Sequence, residues 1–219
     1  MNPKPDSPQP GLRERKKQQT HELIAETARR LFSERGFERV TVAEVARAAE
    51  VSQQTVFNYF PTKEDLVYWR LQSFEAELLA TIREREPGES ALAAFGRFLV
   101  AQRGLLGKQD PQAREQLAAL TRMIAESPAL QAREQQIFAG YTASLAALLA
   151  DETGADAADL RSWVAANAMM GVHRALVHHA RRRVIEGARH PRLAAEVRAR
   201  AEEALGLLDE GLAGYAIKR

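Results

Sequence analysis

Four side chains between positions 53 and 58 (Gln53, Gln54, Thr55 and Asn58) carry the chemistry that stands out in this sequence. A carboxamide presents an acceptor and a donor side by side, which matches N7 and N6 on the major-groove edge of adenine. In the same stretch the Phe57 ring can lie against a thymine methyl, and Thr55 can meet a methyl or a phosphate. No Lys or Arg occurs between Ser52 and Thr62, so bidentate reading of guanine by Arg is not expected from this segment. Ionic contacts to phosphate must come from the flanks. Lys63 stands on one side; Arg13, Arg15, Lys16 and Lys17, opposed only by Glu14, stand on the other.

Two short helices must position these groups. Thr41 and Glu44 have capping-box spacing, which starts a helix at 42, and Val42, Val45, Ala46 and Ala49 fall on one of its faces. Ser52 offers a second N-cap. The helix that follows carries the amides outward, with Val51, Val56 and Phe60 left to anchor it. Two helices joined by a tight turn form the helix-turn-helix plan, whose second helix enters a major groove. For Phe60 core packing is the expected role; the Tyr59 ring can pack while its hydroxyl stays wet.

Other chemistries are poorly served. The chain has no cysteine, which removes disulfides, thiolate catalysis and zinc-finger ligation. His173 and His178 are five apart and His178 and His179 are adjacent, so neither pair has the i,i+4 spacing that chelates from one helix face. No nucleophile–base pair is evident, and neither an enzyme, a metal nor a cofactor is expected. The net charge of +2 comes from 31 basic against 29 acidic residues and says little by itself about nucleic acid. No apolar run approaches the ~18 residues of a membrane span, and no signal peptide is recognisable, so a cytoplasmic location is expected.

Along the chain, residues 1–12 hold Pro3, Pro5, Pro8 and Pro10 and read as a disordered leader. A first helix is expected from about Leu12 to Arg35, ended by Gly36, with Leu23, Ile24, Ala28, Leu31 and Phe32 as its apolar stripe. After Pro61, Thr62 caps a fourth helix over 62–86 that carries Val67, Leu71, Phe74 and Leu78. Helical periodicity continues over 89–105, 111–126, 129–152, 156–186 and 191–216, with no β alternation and no repeat. The expectation is an all-α fold of about nine helices: a three-helix head over 13–61 and a ligand-binding and dimerisation bundle over 62–219. Candidate pocket-lining residues in the bundle are Phe95, Phe98, Leu99, Met123, Phe138, Tyr141, Trp163, Asn167, Met170 and His173, although such residues build cores before they build pockets.

Residues 20–66 resemble the DNA-binding domain of TetR-family transcriptional regulators. The match lies in the order and spacing of Ala28, Leu31-Phe32, Glu34, Gly36-Phe37, Thr41-Val42, Val45-Ala46, Ala49, Val51-Ser52, Thr55, Tyr59-Phe60, Lys63-Glu64 and Leu66. The resemblance implies a homodimer that binds double-stranded operator DNA and pairs through its last two long helices. It also implies a variable C-terminal domain for a small ligand. By the same resemblance Gln53, Gln54 and Phe57 face bases, while Thr41, Thr55, Tyr59 and Lys63 face the backbone. Two departures stand out: Glu50 replaces the usual turn glycine, and Phe57 replaces a frequent tyrosine.

The segment ESPALQAREQQIF over 126–138, with Arg122 before it, is similar to an actinobacterial subgroup that includes the mycofactocin-system regulator. That implies an acyl-CoA-like or other large apolar ligand. The apolar stripes Trp163, Ala166, Met170, Leu176 and Leu193, Val197, Ala201, Ala204, Leu208 are expected to form the four-helix dimer seam. The function expected is a repressor released from a palindromic operator by its ligand. The alternatives are an activator of the same type, or a helical ligand-binding or interaction protein with a weakened head.

Overall fold

Helix boundaries in this chain follow its caps. The computed structural model describes residues 11–101, 111–156, 159–188 and 190–211, and among them lie ten α-helices, one 3-10 turn and no strand. The chain divides into two units, 1–69 and 70–219. That division falls later than the break expected after residue 61. The proline-rich leader, the break at 104–110 and the end of the last expected helix lie outside the described residues.

In the first unit, α1 (Leu12–Arg35) ends at Gly36, whose φ of +82° takes the chain out of the helix. α2 (Val42–Ala48) starts with the complete Thr41–Glu44 capping box. α3 (Gln53–Tyr59) starts with the Ser52 hydroxyl accepting the Thr55 N–H at 3.0 Å. The core these helices share is made by Ile24, Ala28, Phe32, Phe37, Val40, Val45, Val56, Phe60 and Leu66, all buried. Phe32 and Phe37 meet edge to face at 5.2 Å. Burying such side chains stabilises the fold by roughly 1.5–3 kcal/mol each, which is enough to hold two seven-residue helices too short to persist alone.

The single helix expected over 62–86 is three pieces: α4 (Asp65–Tyr68), a 3-10 turn (Trp69–Leu71) and α5 (Gln72–Arg83). Thr62 does cap this segment. Its N–H and hydroxyl donate to Asp65 Oδ2 at 3.0 and 2.9 Å, and the Asp65 N–H donates back to Thr62 Oγ1 at 3.3 Å.

The second unit continues with α6 (Ala91–Val100), α7 (Pro111–Glu126), α8 (Pro128–Thr153), α9 (Leu160–Ile185) and α10 (His190–Asp209). Ser127 caps α8, and Pro128 occupies the first-turn position where a missing N–H costs nothing. α9 packs on α6, α7, α8 and α10, so it is the centre of the bundle. The core includes Leu78, Ile82, Phe95, Phe98, Leu145, Ala166, Met170, Leu176 and Ala201. At the α6–α10 contact Leu205 Cδ1 lies 3.0 Å from where a Cβ on Gly96 would stand, so the glycine permits the close approach.

This core overturns one expectation. Ala166, Met170 and Leu176, with Leu193 and Ala201, are buried inside the protomer, and Val197, Ala204 and Leu208 pack against the same core. The buried members of the two stripes are therefore used within the protomer, and only Trp163 and the partly buried Val197, Ala204 and Leu208 retain exposed surface. The exposed large apolar side chains of α9 are Leu160 (73% exposed), Trp163 (38%, a member of the expected stripe) and Val164 (58%) at its start, and Ile185 (62%) at its end, with the exposed polar Asn167, Arg174 and His178 between them.

Candidate nucleic-acid interface

The turn between α2 and α3 decides whether α3 is presented at all. Glu50 keeps the left-handed backbone that the usual glycine would supply, with φ at +54°. The Val51 N–H donates to the Ala46 carbonyl at 2.9 Å, and the Glu50 N–H donates to the Arg47 carbonyl at 3.2 Å. These two bonds make a Schellman motif with Glu50 at its left-handed position. The departure in sequence therefore costs strain but leaves the geometry unaltered.

α3 then divides cleanly. Val56 is buried and Thr55 half-buried, while Gln53, Gln54, Phe57 and Asn58 are exposed on the remaining surface. Gln54 Nε2 donates to Asn58 Oδ1 at 3.0 Å, which orients both amides. Gln54 keeps its acceptor oxygen and one N–H, and Asn58 keeps both amide protons, so the donor–acceptor pattern an adenine edge requires survives. The Phe57 ring is 43% exposed, a large apolar surface that the head leaves uncovered.

The residues expected at the backbone are partly engaged within the head. The Thr41 N–H and hydroxyl both donate to Glu44 Oε2, at 2.8 and 2.9 Å, and the Glu44 N–H returns a bond to Thr41 Oγ1 at 3.2 Å. Arg35 Nη2 reaches Glu44 Oε1 at 2.7 Å. The bond from the Thr41 N–H, then those from Arg35 and the Thr41 hydroxyl, pull the Glu44 carboxyl down to about 2. Thr55 Oγ1 shares a 2.8 Å hydrogen bond with Ser52 Oγ. Lys63 Nζ sits 4.1 Å over the Phe37 ring, which fixes the ammonium against the head. Phe60 is buried and stacks on His21 at 4.5 Å; the half-buried Tyr59 ring meets His21 at 6.0 Å.

The basic stretch is helical from Leu12 onward, and its faces differ. Glu14, Arg15, Lys17, Gln18 and His21 line, with Tyr59, a surface groove of about 390 Å³. Arg13 and Lys16 are exposed and take no part in the lining. Gln18 and His21 are the lining residues that reading the sequence missed. The 14-17/18-21 spacing, three to four apart and ending beside Tyr59, is the signal that marks the face.

In the bundle, four helices bring aromatic rings together. Phe74 stacks on His173 at 4.5 Å and on Tyr141 at 5.3 Å, and meets Phe98 edge on at 5.1 Å. Phe138 stands perpendicular to His173 at 5.5 Å. The Tyr141 hydroxyl donates to the Leu71 carbonyl at 2.5 Å, and burial raises its pKa. Burial first, and the positive Arg181 second, push His173 down to about 4. Arg181 itself forms a two-pronged pair with Glu134 of α8.

Of the residues expected to line a pocket, Phe98, Phe138, Tyr141 and His173 thus meet around Phe74. Met170 is buried in the same core, as is Phe95, while Leu99 packs on it from a partly buried position and Met123 is half-buried on α7. Trp163 and Asn167 are not brought into this group. Both are exposed on α9, where Asn167 Nδ2 bonds back to the Trp163 carbonyl at 2.8 Å. His178 is exposed, and His179 Nε2 lies 2.9 Å from Glu196 Oε1. Among the described residues no group of three or more potential ligands could hold a metal ion, and no helix is long and apolar enough to cross a membrane.

Against known families, residues 24–68 match the profile of bacterial regulatory proteins of the tetR family, and residues 89–213, more than half of the chain, match the MftR C-terminal domain. The chain belongs to the TetR family. It is 30% identical over 156 residues to the HTH-type transcriptional regulator TcmR of Streptomyces glaucescens, which covers 68% of this chain and 67% of the relative. It is 26% identical over 172 residues to the putative mycofactocin biosynthesis transcriptional regulator MftR of Mycobacterium tuberculosis, covering 75% and 81%.

Solved TetR-type folds align along most of the chain. A putative TetR-family regulator from Syntrophomonas wolfei superposes with a TM-score of 0.55 at 17% identity, over 90% of this chain and 98% of the other. The Bacillus subtilis regulator FadR, in complex with stearoyl-CoA, gives 0.52 at 21% identity, over 86% and 97%. The all-α architecture, with a helix-turn-helix head and a C-terminal helical bundle, is that of a TetR regulator.

Proposed function

We propose that this TetR-family chain is a homodimeric repressor that reads a palindromic operator through α3 and is released by a ligand held in its C-terminal bundle. One observation carries the DNA half of the reading: the Schellman turn at Glu50 presents Gln53, Gln54, Phe57 and Asn58 together on the open surface of α3. Specificity then rests on A·T-directed contacts, two amides for adenine edges and one ring for thymine methyls. Affinity rests on Lys63 and the basic start of α1. The protein acts by binding, without catalysis or cofactor.

Dimerisation is proposed through α9 and α10, with the exposed apolar side chains Leu160, Trp163 and Val164 at the start of α9 in the seam. Two copies related by a two-fold axis would set their α3 helices about 34–36 Å apart, one DNA turn. The ligand is proposed to be a large apolar molecule of the acyl-CoA type, received at the rings of Phe74, Phe98, Phe138, Tyr141 and His173. The cluster of aromatic rings drawn from four helices supports this reading, as do the likeness to the MftR C-terminal domain and the stearoyl-CoA complex of the Bacillus subtilis regulator.

A differential affinity of about 1–3 kcal/mol between the two states would change operator affinity about 5- to 150-fold. The test is DNase protection of the DNA upstream of the gene, repeated with stearoyl-CoA. Protection that fades as stearoyl-CoA is added supports the whole reading. Protection that is indifferent to it removes this ligand class, and absence of protection removes the repressor.

A further inference from the structure

The helix expected over 62–86 is broken in its middle, and its own sequence does not demand the break. Residues 65–83 hold neither glycine nor proline, yet α4 gives way to the 3-10 turn Trp69–Leu71 before α5 begins. A 3-10 stretch inside a helix often marks a hinge, and a side chain bonded into the hydrogen-bond ladder is one of the few causes of such a break. Here that side chain is Tyr141 of α8, whose hydroxyl donates to the Leu71 carbonyl at 2.5 Å. We propose that Tyr141 is a positioning residue: its hydroxyl holds the 3-10 turn in the free protein, and the acyl carbonyl of a bound ligand takes that hydroxyl away. The inference rests on the ligand-released reading above and names the ligand atom that does the releasing.

Three observations carry it. First, Tyr141 belongs to both places. Its buried ring stacks on Phe74 at 5.3 Å and lies 6.2 Å from Phe138, within the ring cluster, while its hydroxyl reaches a turn 70 residues away in sequence. Second, the turn contains the boundary between the two units, at 69 and 70, so a change in its dihedrals passes along the backbone into α4.

Third, the hydroxyl is a standing donor with one proton to give. Burial first, and the negative charge of Glu75 second, raise its pKa and keep it protonated. An oxygen that enters among Phe74, Phe98 and Phe138 finds no hydrogen bond from those rings, and leaving it unbonded is costly. Tyr141 and His173 are the polar rings that can meet it, and of the two it is Tyr141 that is bonded to the turn. The ligand carbonyl and Leu71 therefore compete for a single proton.

The experiment uses the full chain and a duplex selected from a random pool by the wild type. Operator affinity is measured with and without stearoyl-CoA, and with S-octadecyl-CoA, in which a methylene replaces the acyl carbonyl. Affinity for each CoA compound is measured separately without DNA. The variant is Tyr141→Phe, which keeps the ring and loses the hydroxyl. Thr142→Val is the control, since it also loses a buried hydroxyl, one that bonds the Phe138 carbonyl within α8 at 2.9 Å.

Stearoyl-CoA should weaken operator binding by the wild type and by Thr142→Val about 5- to 150-fold. Tyr141→Phe should bind stearoyl-CoA within about three-fold of the wild type, bind the operator about 2- to 10-fold more weakly when free, and respond to stearoyl-CoA less than about two-fold. Its amides over 69–75 should exchange faster without any ligand. S-octadecyl-CoA should bind the wild type and leave operator affinity within about two-fold.

The proposal is overturned if Tyr141→Phe keeps the full response, if its 69–75 amides exchange as in the wild type, or if S-octadecyl-CoA releases the operator as well as stearoyl-CoA does. Failure of the wild type to bind stearoyl-CoA, or to select any duplex, refutes the underlying reading and the proposal with it. Binding and release that ignore Tyr141 refute the proposal alone.

Discussion

Replacing Glu50 with glycine should stabilise the head, and the size of the effect can be worked from the turn. Glu50 holds φ at +54°, where the Cβ of an L-residue crowds the following carbonyl. That conformation costs roughly 1–2 kcal/mol. Glycine removes the cost but gains freedom in the unfolded chain, which returns about 0.5–1 kcal/mol. The net gain is about 0.5–1 kcal/mol.

The two Schellman bonds, Val51 to Ala46 and Glu50 to Arg47, use backbone atoms only and persist in the variant. Because the chain has two units, global unfolding would blur the effect, so the suitable assay is native-state hydrogen exchange of α2 and α3 amides. Protection should rise about two- to five-fold for Glu50→Gly. Glu50→Gln, which removes the charge but keeps the Cβ, should leave it unchanged. Equal or lower protection in Glu50→Gly, or a gain as large in Glu50→Gln, would refute the strain argument.

The remaining expectations concern charge. Glu44, held down to about 2 by Thr41 and Arg35, contributes stability that is complete above the usual carboxylate pKa and is lost as pH falls towards 2. α2 exchange measured from pH 5 downward should show this loss, and Glu44→Gln should flatten it. His173, pushed down to about 4, favours folding fully above about 6.5. The bundle should therefore weaken between pH 6.5 and 4, as followed by near-ultraviolet circular dichroism, and His173→Phe should abolish that window. Lys63→Ala should weaken binding to every DNA sequence alike and lower the salt slope by about one, while loss of its contact with Phe37 costs the head about 0.5–1 kcal/mol in exchange protection.

What was legible in the sequence was mostly punctuation. The Thr41–Glu44 box, Ser52, the Ser127-Pro128 pair and the Gly36 and Gly154 stops act through local hydrogen bonds or local dihedrals, so their residue types reveal them. Faces were less legible. Val67, Leu71, Phe74 and Leu78 keep helical spacing across a 3-10 turn, because tightening one turn leaves the apolar pattern nearly intact.

On α9, Trp163 and Met170 look equivalent in sequence. Which of them is buried depends on what α8 and α10 cover, a tertiary fact that periodicity on one helix does not contain. The groove at Tyr59 was missed for the same reason, since its walls come from helices about forty residues apart. By contrast, the left-handed turn at Glu50 survives a residue change that argues against it, because two backbone bonds and the packing of Val45 and Val56 over-determine it.

The central claim is that the exposed face of α3 reads DNA, and selection of duplexes from a random pool tests it most directly. The account predicts enrichment of an A·T-containing palindrome with half-site centres about 10–10.5 base pairs apart. Gln53→Ala should relax one position in each half while leaving affinity for random DNA unchanged. Failure to enrich any duplex, or equal losses on selected and random DNA for both Gln53→Ala and Gln54→Ala, would contradict it.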